Sequence, residues 1–391
     1  MGLHSSLRKE PQRLAGIRVL LDAKDLHFHD LAFLAKRAAG NKPFTDNAVS
    51  RVTHVAFTPA WWLPGAHGQT LWGKFARRVS LPPGHMERWT TPDGDFLDLF
   101  RVPAPPAAPH LIILHGLEGT LRSHYARGIA SGAHAAGWGV DLLLFRGCGS
   151  EINRAPRFYH SGDTADLAFV VQRIVREHPD APLLFAGYSL GGNVLLKWLG
   201  EHPSDVPSSV RGAVAVSVPF DLEAGACFVS HGFSRMYERH FLRTLKQKAA
   251  QKLAHFPGLF NATALRSAHT LVSFDEAVTA PVHGFSNAHD YYARSSSLQF
   301  LERISRPTLL VSAFDDPFLP SDVLRSVQAR AGTNPALTPL FVEHGGHVGF
   351  VSGPTPWKAR YFAEEQALTF LAGLLDAPPG GAMTTPLHSE P

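Results

Sequence analysis

The chain has 391 residues, with 37 Lys and Arg set against 33 Asp and Glu for a formal charge of +4. A charge so mild, scattered rather than striped, argues against a nucleic-acid partner, and no stretch reaches the ~18 consecutive apolar residues of a spanning helix. The only cysteines, Cys148 and Cys227, point to a reducing compartment, so the expected location is cytoplasmic.

Residues 1–55 read as an N-terminal extension. Arg18, Asp22, Lys24 and Asp25 interrupt any signal-like apolar core, and the myristoylation pattern at Gly2 is read as accidental. Residues 56–376 suit one elaborated domain, with a disordered tail from Ala377. Within the domain, residues 87–100 form two strand-like runs around Asp93-Gly94, a hairpin signal. Apolar runs at 111–114, 140–145, 183–186, 213–218, 308–314 and 338–342 then alternate with helical ones. That alternation predicts an α/β fold with a mainly parallel central sheet flanked by helices. The pattern changes between Asp221 and Arg306. Residues 233–256 are helical and basic along one side, and the segment over about 221–306 is expected to be a helical cap inserted after the sixth strand. Its basic residues read as a solvated face, with peripheral membrane contact as the alternative.

Chemistry enters at Gly187-Tyr188-Ser189-Leu190-Gly191, a G-x-S-x-G pattern between a strand-like run and a helix-like run. This is the signature of a nucleophile elbow, the tight strand-to-helix turn of the α/β-hydrolase fold. A serine hydroxyl is a weak nucleophile at neutral pH and needs a base. The acid candidates are Asp315 and Asp316, just beyond the run 308–314 and hence at the carboxyl edge of a parallel sheet. Asp316 is favoured because it directly precedes a Pro-x-x-Pro turn, leaving Asp315 to cap or brace that turn. For the base, His347 in the glycine loop Gly345-Gly346-His347 is favoured over His344, which lies nearer the strand end. The order Ser189, Asp316, His347 is that of α/β-hydrolases. An oxyanion hole follows from the amides of Leu190 and of Leu117, the latter in the loop His115-Gly116-Leu117-Glu118-Gly119. Cys148 follows Arg146-Gly147 rather than an elbow and is a poor candidate nucleophile.

The chain also resembles the YheT-like branch of α/β-hydrolases, related to the mammalian ABHD lipases. The residues that carry the resemblance are Trp61-Trp62-Leu63-Pro64-Gly65-Ala66-His67-Gly68-Gln69-Thr70-Leu71, the Leu117 loop, and Arg146-Gly147-Cys148-Gly149 with Asn153-Arg154. They continue through Tyr159-His160-Ser161-Gly162-Asp163-Thr164, the elbow to Asn193, Phe274-Asp275-Glu276, His283-Gly284-Phe285, Tyr291-Tyr292, Asp315-Asp316-Pro317-Phe318 and residues 344–350. The resemblance implies the same triad and hydrolysis of acyl esters or lipids without metal or organic cofactor. Mammalian members carry an N-terminal membrane anchor to which nothing here compares.

The expected activity is therefore that of a serine hydrolase cleaving carboxylic esters through an acyl-enzyme, carboxylesterase-like or lipase-like, on a small-molecule acyl ester or lipid. Acyl transfer by the same triad is the first alternative, although the chain has no H-x-x-x-x-D acyltransferase pattern. A non-catalytic binder of lipid or protein is the second, and the complete triad speaks against it.

Overall fold

The computed structural model describes residues 56–376; the extension over 1–55 and the tail from Ala377 lie outside the described residues. Helix α1 (Ala66–Phe75) precedes a hairpin of β1 (His85–Thr90) and β2 (Phe96–Val102), which turns at Asp93-Gly94. The chain continues through β3 (His110–Leu114), α2 (His124–Ala135), β4 (Gly139–Leu144), α3 (Ala165–Glu177) and β5 (Leu183–Tyr188). Helix α4 (Leu190–Glu201) leads to β6 (Val210–Val216), and β7 (Thr308–Ala313), α11 (Ser321–Ala331), β8 (Leu337–Val342) and α12 (Phe362–Leu375) follow later. The connection from β6 to β7 holds six helices: α5 (Leu222–Val229), α6 (Arg235–His255), α7 (Ala262–Ser267), α8 (Leu271–Phe274), α9 (Ala280–His283) and α10 (Ala288–Ser295). A π-helical turn, Asp275–Thr279, joins α8 to α9.

The eight strands order as β1-β2-β4-β3-β5-β6-β7-β8, with β1 and β2 antiparallel to their neighbours and the remaining pairs parallel. Burial on both faces explains why strands β3 to β7 read as unbroken apolar runs. Alternate residues feed two cores. Ile112 and Leu114 of β3 join α3, α4 and α11 on one face, while Leu111 and Ile113 join α2 and α12 on the other. Strand order reverses around β3, between β4 and β5, so the loops leaving β3, β5, β7 and β8 gather at one carboxyl edge, where such sheets bind ligands.

Candidate active site

Strand β5 ends at Tyr188 and α4 begins at Leu190, leaving Ser189 as the whole turn, with φ 52° and ψ −121°. That conformation costs an L-residue on the order of 1–3 kcal/mol, so the surroundings must impose it. The Ser189 amide donates to Val216 O at 2.8 Å. A Cβ on Gly187 would stand 2.8 Å from Gly191 O, and one on Gly191 would stand 2.4 Å from His115 O. Only glycine admits this crossing of strand, helix and the β3 loop.

The Ser189 hydroxyl lies 3.0 Å from His347 Nε2, and His347 Nδ1 lies 2.9 and 3.1 Å from the two Asp316 oxygens. Asp316 and His347 are both buried, and Asp316 Oδ1 also accepts the Phe318 amide at 2.8 Å. The two rivals pair with each other instead. Asp315 Oδ1 accepts the amides of Gly345 and Gly346, and its Oδ2 lies 3.3 Å from Nδ1 of the exposed His344. Asp315 thus braces the loop that carries His347 and makes no contact with Ser189.

Helix α1 supplies the other half of that brace. Thr70 Oγ1 accepts the His347 amide at 2.9 Å, and the Gln69 side chain both donates to Val351 O and accepts the Val351 amide. Gly346, at φ 61°, packs so closely on α1 that a Cβ would lie 2.4 Å from Ala66 O. From the end of β6, the Ser217 hydroxyl accepts the Val348 amide at 3.0 Å. Sequence reading assigned no role to Gln69, Thr70 or Ser217. Their only signal was membership of the 61–71 motif and position at a strand end.

The β3 loop passes directly against the serine: a Cβ on Gly116 would stand 3.1 Å from Ser189 Cβ. The amides of Leu117 and Leu190 find no acceptor among the described residues, and both residues line the cavity beside Ser189. Burial pushes His115 down to about 4, keeping it neutral. Its Nδ1–H then donates to Gly116 O at 2.7 Å, while Nε2 accepts the Phe145 amide. His115 is therefore a loop anchor rather than a base. Glu118, at φ 54°, has its amide donated to Tyr159 Oη, and its carboxylate accepts from that same hydroxyl and from Lys248 Nζ at 2.8 Å. Lys248 belongs to α6, so an ion pair links the insertion to the residue next to Leu117.

The cavity has an empty volume of about 1180 Å³, counting its open part, and holds Ser189 and His347 in its wall. Apolar side chains of the insertion, including Leu222, Val229, Phe241, Leu245 and Phe274, make up much of the rest. Cys148 is buried nearby, and burial pushes its thiol up to about 11, which removes it as a nucleophile. Among the described residues no three His, Cys, Asp or Glu side chains are placed to hold a metal ion. No helix among them is long and apolar enough to cross a membrane.

Asp275, in the π-helical turn, is a wall residue of a different kind. Burial pushes its carboxyl up to about 6, although Thr279 and Tyr292 each donate a hydroxyl to it at 2.6 Å. A raised folded-state pKa stabilises fully below the unfolded value near 4 and loses that contribution as pH rises through about 6. On raising pH from about 4 to 7, wild type is expected to lose about 2 kcal/mol relative to Asp275→Asn. Urea unfolding of both proteins across that range measures it; parallel stability curves would show that Asp275 ionises freely in the fold.

The Arg146-Gly147-Cys148-Gly149 motif contributes a buried charge hub. The Arg146 guanidinium donates to Asp166 twice at 2.7 Å, to Asp95 at 2.8 Å and to Asp93 at 2.9 Å. Asn153 Nδ2 also donates to Asp95 Oδ2. Burial works to raise the Asp95 carboxyl, but Asn153, the Arg154 amide and Arg146 outweigh it and hold it at about 2. This hub ties the loop after β4, which lines the cavity, to the hairpin and to α3. Asn193, one turn into α4 from Ser189, is likewise buried and donates to Ser161 O and Ser295 O while accepting the Ser297 amide.

A sheet ordered in this way, with a strained serine at the tip of β5 and an imidazole from the loop after β8, defines an α/β hydrolase. Residues 109–354 match the family model for the alpha/beta hydrolase fold. YheT of Escherichia coli (strain K12), provisionally named an esterase, is 41% identical over 315 residues, spanning 79% of this chain and 91% of that protein. The mouse phospholipase ABHD3 is 29% identical over 322 residues, 79% of this chain and 77% of its own. Among solved structures, the DcsB complex with its substrate analogue superposes with a TM-score of 0.50 at 15% identity, covering 75% of this chain and all (100%) of that one; it speaks for the fold alone. The chain belongs to the YheT-like family of alpha/beta hydrolases, enzymes acting on ester bonds.

Proposed function

We propose that the protein is a serine hydrolase that cleaves carboxylic esters through an acyl-enzyme on Ser189. The observation that carries this reading is the hydrogen-bonded series Asp316, His347, Ser189 opening onto a largely apolar cavity. Ser189 Oγ attacks the ester carbonyl while its proton passes to His347 Nε2, and Asp316 stabilises the imidazolium through Nδ1–H. The amides of Leu117 and Leu190 receive the oxyanion, and a single such donor is worth about 10²–10³-fold in kcat. Collapse of the intermediate expels the alcohol, which takes the proton from Nε2. Water, activated by the same imidazole, then releases the carboxylic acid and restores Ser189.

The insertion over about 221–306 acts as the cap, and its apolar inner face receives the acyl chain. Lipid esters, the substrate class for which the phospholipase relative is named, suit such a cavity. The cytoplasm remains the proposed location. A fluorophosphonate probe tests the central step, since attack by an activated Ser189 displaces fluoride and leaves a phosphonyl adduct. Mass spectrometry should find one adduct, on the peptide containing Ser189, and none in Ser189→Ala. An unlabelled wild-type protein would overturn the acyl-enzyme reading.

A further inference from the structure

The cations of α6 divide by direction. Lys252 Nζ is buried against Asn153 O and Ala155 O, Lys248 pairs with Glu118, and Lys246 donates to Arg266 O and Ala268 O. Each ammonium is thus satisfied by the protein. Arg235, Arg239 and Arg243 are not: they recur every fourth residue, are exposed, and meet no carboxylate or carbonyl among the described residues. The single acid of the helix, Glu238, is buried and spends one oxygen on the Ser230 hydroxyl and the Leu271 amide. The three arginines, with Lys246 and His269, line a surface groove with about 710 Å³ of empty space, counting its open part. An uncompensated row of guanidinium groups along a groove is a site for anions.

A second observation identifies the kind of anion. Phe228 (41% exposed), Phe233 (54%) and Met236 (44%) project at the end of α5, in the turn before α6 and in its first turn. Phe75 (71%) projects from the end of α1, whose Lys74 reaches His240 of α6 at 3.0 Å. Soluble anions gain nothing from four exposed apolar side chains, whereas an interfacial helix combines cations for headgroups with apolar side chains for the acyl boundary. The patch also adjoins the reaction centre. The Phe233 ring lies 4.4 Å from His67 and 6.2 Å from Tyr237; Tyr237 lies 4.9 Å from Phe318, whose ring stacks on His347 at 4.2 Å.

We infer that the outer face of α6, with Phe75, Phe228, Phe233 and Met236, docks the protein onto lipid surfaces that contain anionic headgroups. Docking there presents Ser189 to esters held in the same surface, a consequence that rests on the proposed hydrolytic function; the docking itself does not. Co-sedimentation with phosphatidylcholine vesicles, pure or with about one part in three phosphatidylglycerol, tests it, because each basic side chain near such a surface adds a salt-screened attraction. Wild type should pellet with the anionic vesicles at low salt and be released at high salt. The triple variant Arg235→Gln/Arg239→Gln/Arg243→Gln should partition about 10²-fold more weakly, and Phe228→Ser/Met236→Ser should also bind less. Both variants should keep the wild-type melting temperature and turnover of soluble p-nitrophenyl butyrate. Failure of wild type to pellet, equal binding to pure phosphatidylcholine, undiminished binding by the arginine variant, or preference for polyuridylate over the vesicles would each overturn the inference. Pelleting needs no turnover, so its failure is distinct from failure of ester hydrolysis.

Discussion

Ser189→Ala is expected to lower kcat/KM for p-nitrophenyl esters by about 10³-fold or more, and His347→Ala by a similar factor, with no additional loss when the two are combined. The non-additivity is the informative part. Ser189 and His347 share one proton across 3.0 Å, so once either is gone the other has no partner for the attack. What activity persists would come from the oxyanion amides and the cavity alone. Alanine at 189 inherits the same strained backbone, so the melting temperature should hold. His344→Ala should stay close to the wild-type rate because that ring is exposed and meets only Asp315. Measuring a chain-length series from acetate to palmitate adds a readout of how much acyl chain the cavity accepts. A Ser189→Ala enzyme with an undiminished rate would assign the chemistry to another residue.

Arg146→Met should destabilise the fold by about 3–5 kcal/mol, because it leaves Asp95 and Asp166 buried without their cation. For a chain of this size that lowers the melting temperature by roughly 5 °C or more. Adding Asp95→Asn and Asp166→Asn to Arg146→Met should recover part of the loss, since removing both partners of a buried pair costs far less than removing one. Turnover should fall as well, because the hub holds the loop bearing Asn153, Tyr159 and His160 in the cavity wall. The measurement is thermal melting of the three proteins. An unshifted Arg146→Met would mean that the aspartates are neutral or hydrated in the fold, and a triple variant worse than the single would contradict pairing as the origin.

The sheet was legible from apolar runs alone because parallel strands are buried on both faces and show it residue by residue. The elbow was legible for a related reason: Gly187 and Gly191 are required by contacts with their immediate chain neighbours and the adjoining β3 loop. The division of the basic helix was not legible. All six cations of α6 lie within one periodic segment, yet Lys248 and Lys252 turn inward to Glu118, Asn153 and Ala155, while Lys246 stays beside the three arginines along the outer groove and donates to Arg266 O and Ala268 O. The expectation of one basic side therefore holds for four of the six. Periodicity sets which residues share a face, but not which face meets a carboxylate supplied by the loop after β3.

What the sequence by itself determined was the fold class, the position of the turn at Ser189 and the chain order of serine, acid and histidine. These rest on local backbone preferences and on unbroken apolar runs alternating with helically spaced ones, which a linear reading carries in full. Tertiary structure decided which acid meets which histidine, and what holds them there. Asp315 and Asp316 are adjacent in the chain and chemically identical; only the return of the β8 loop sends one to the glycine amides and the other to His347. The amide of His347 is fixed by Thr70, 277 residues away, a contact that exists only because the folded chain brings α1 against the loop after β8.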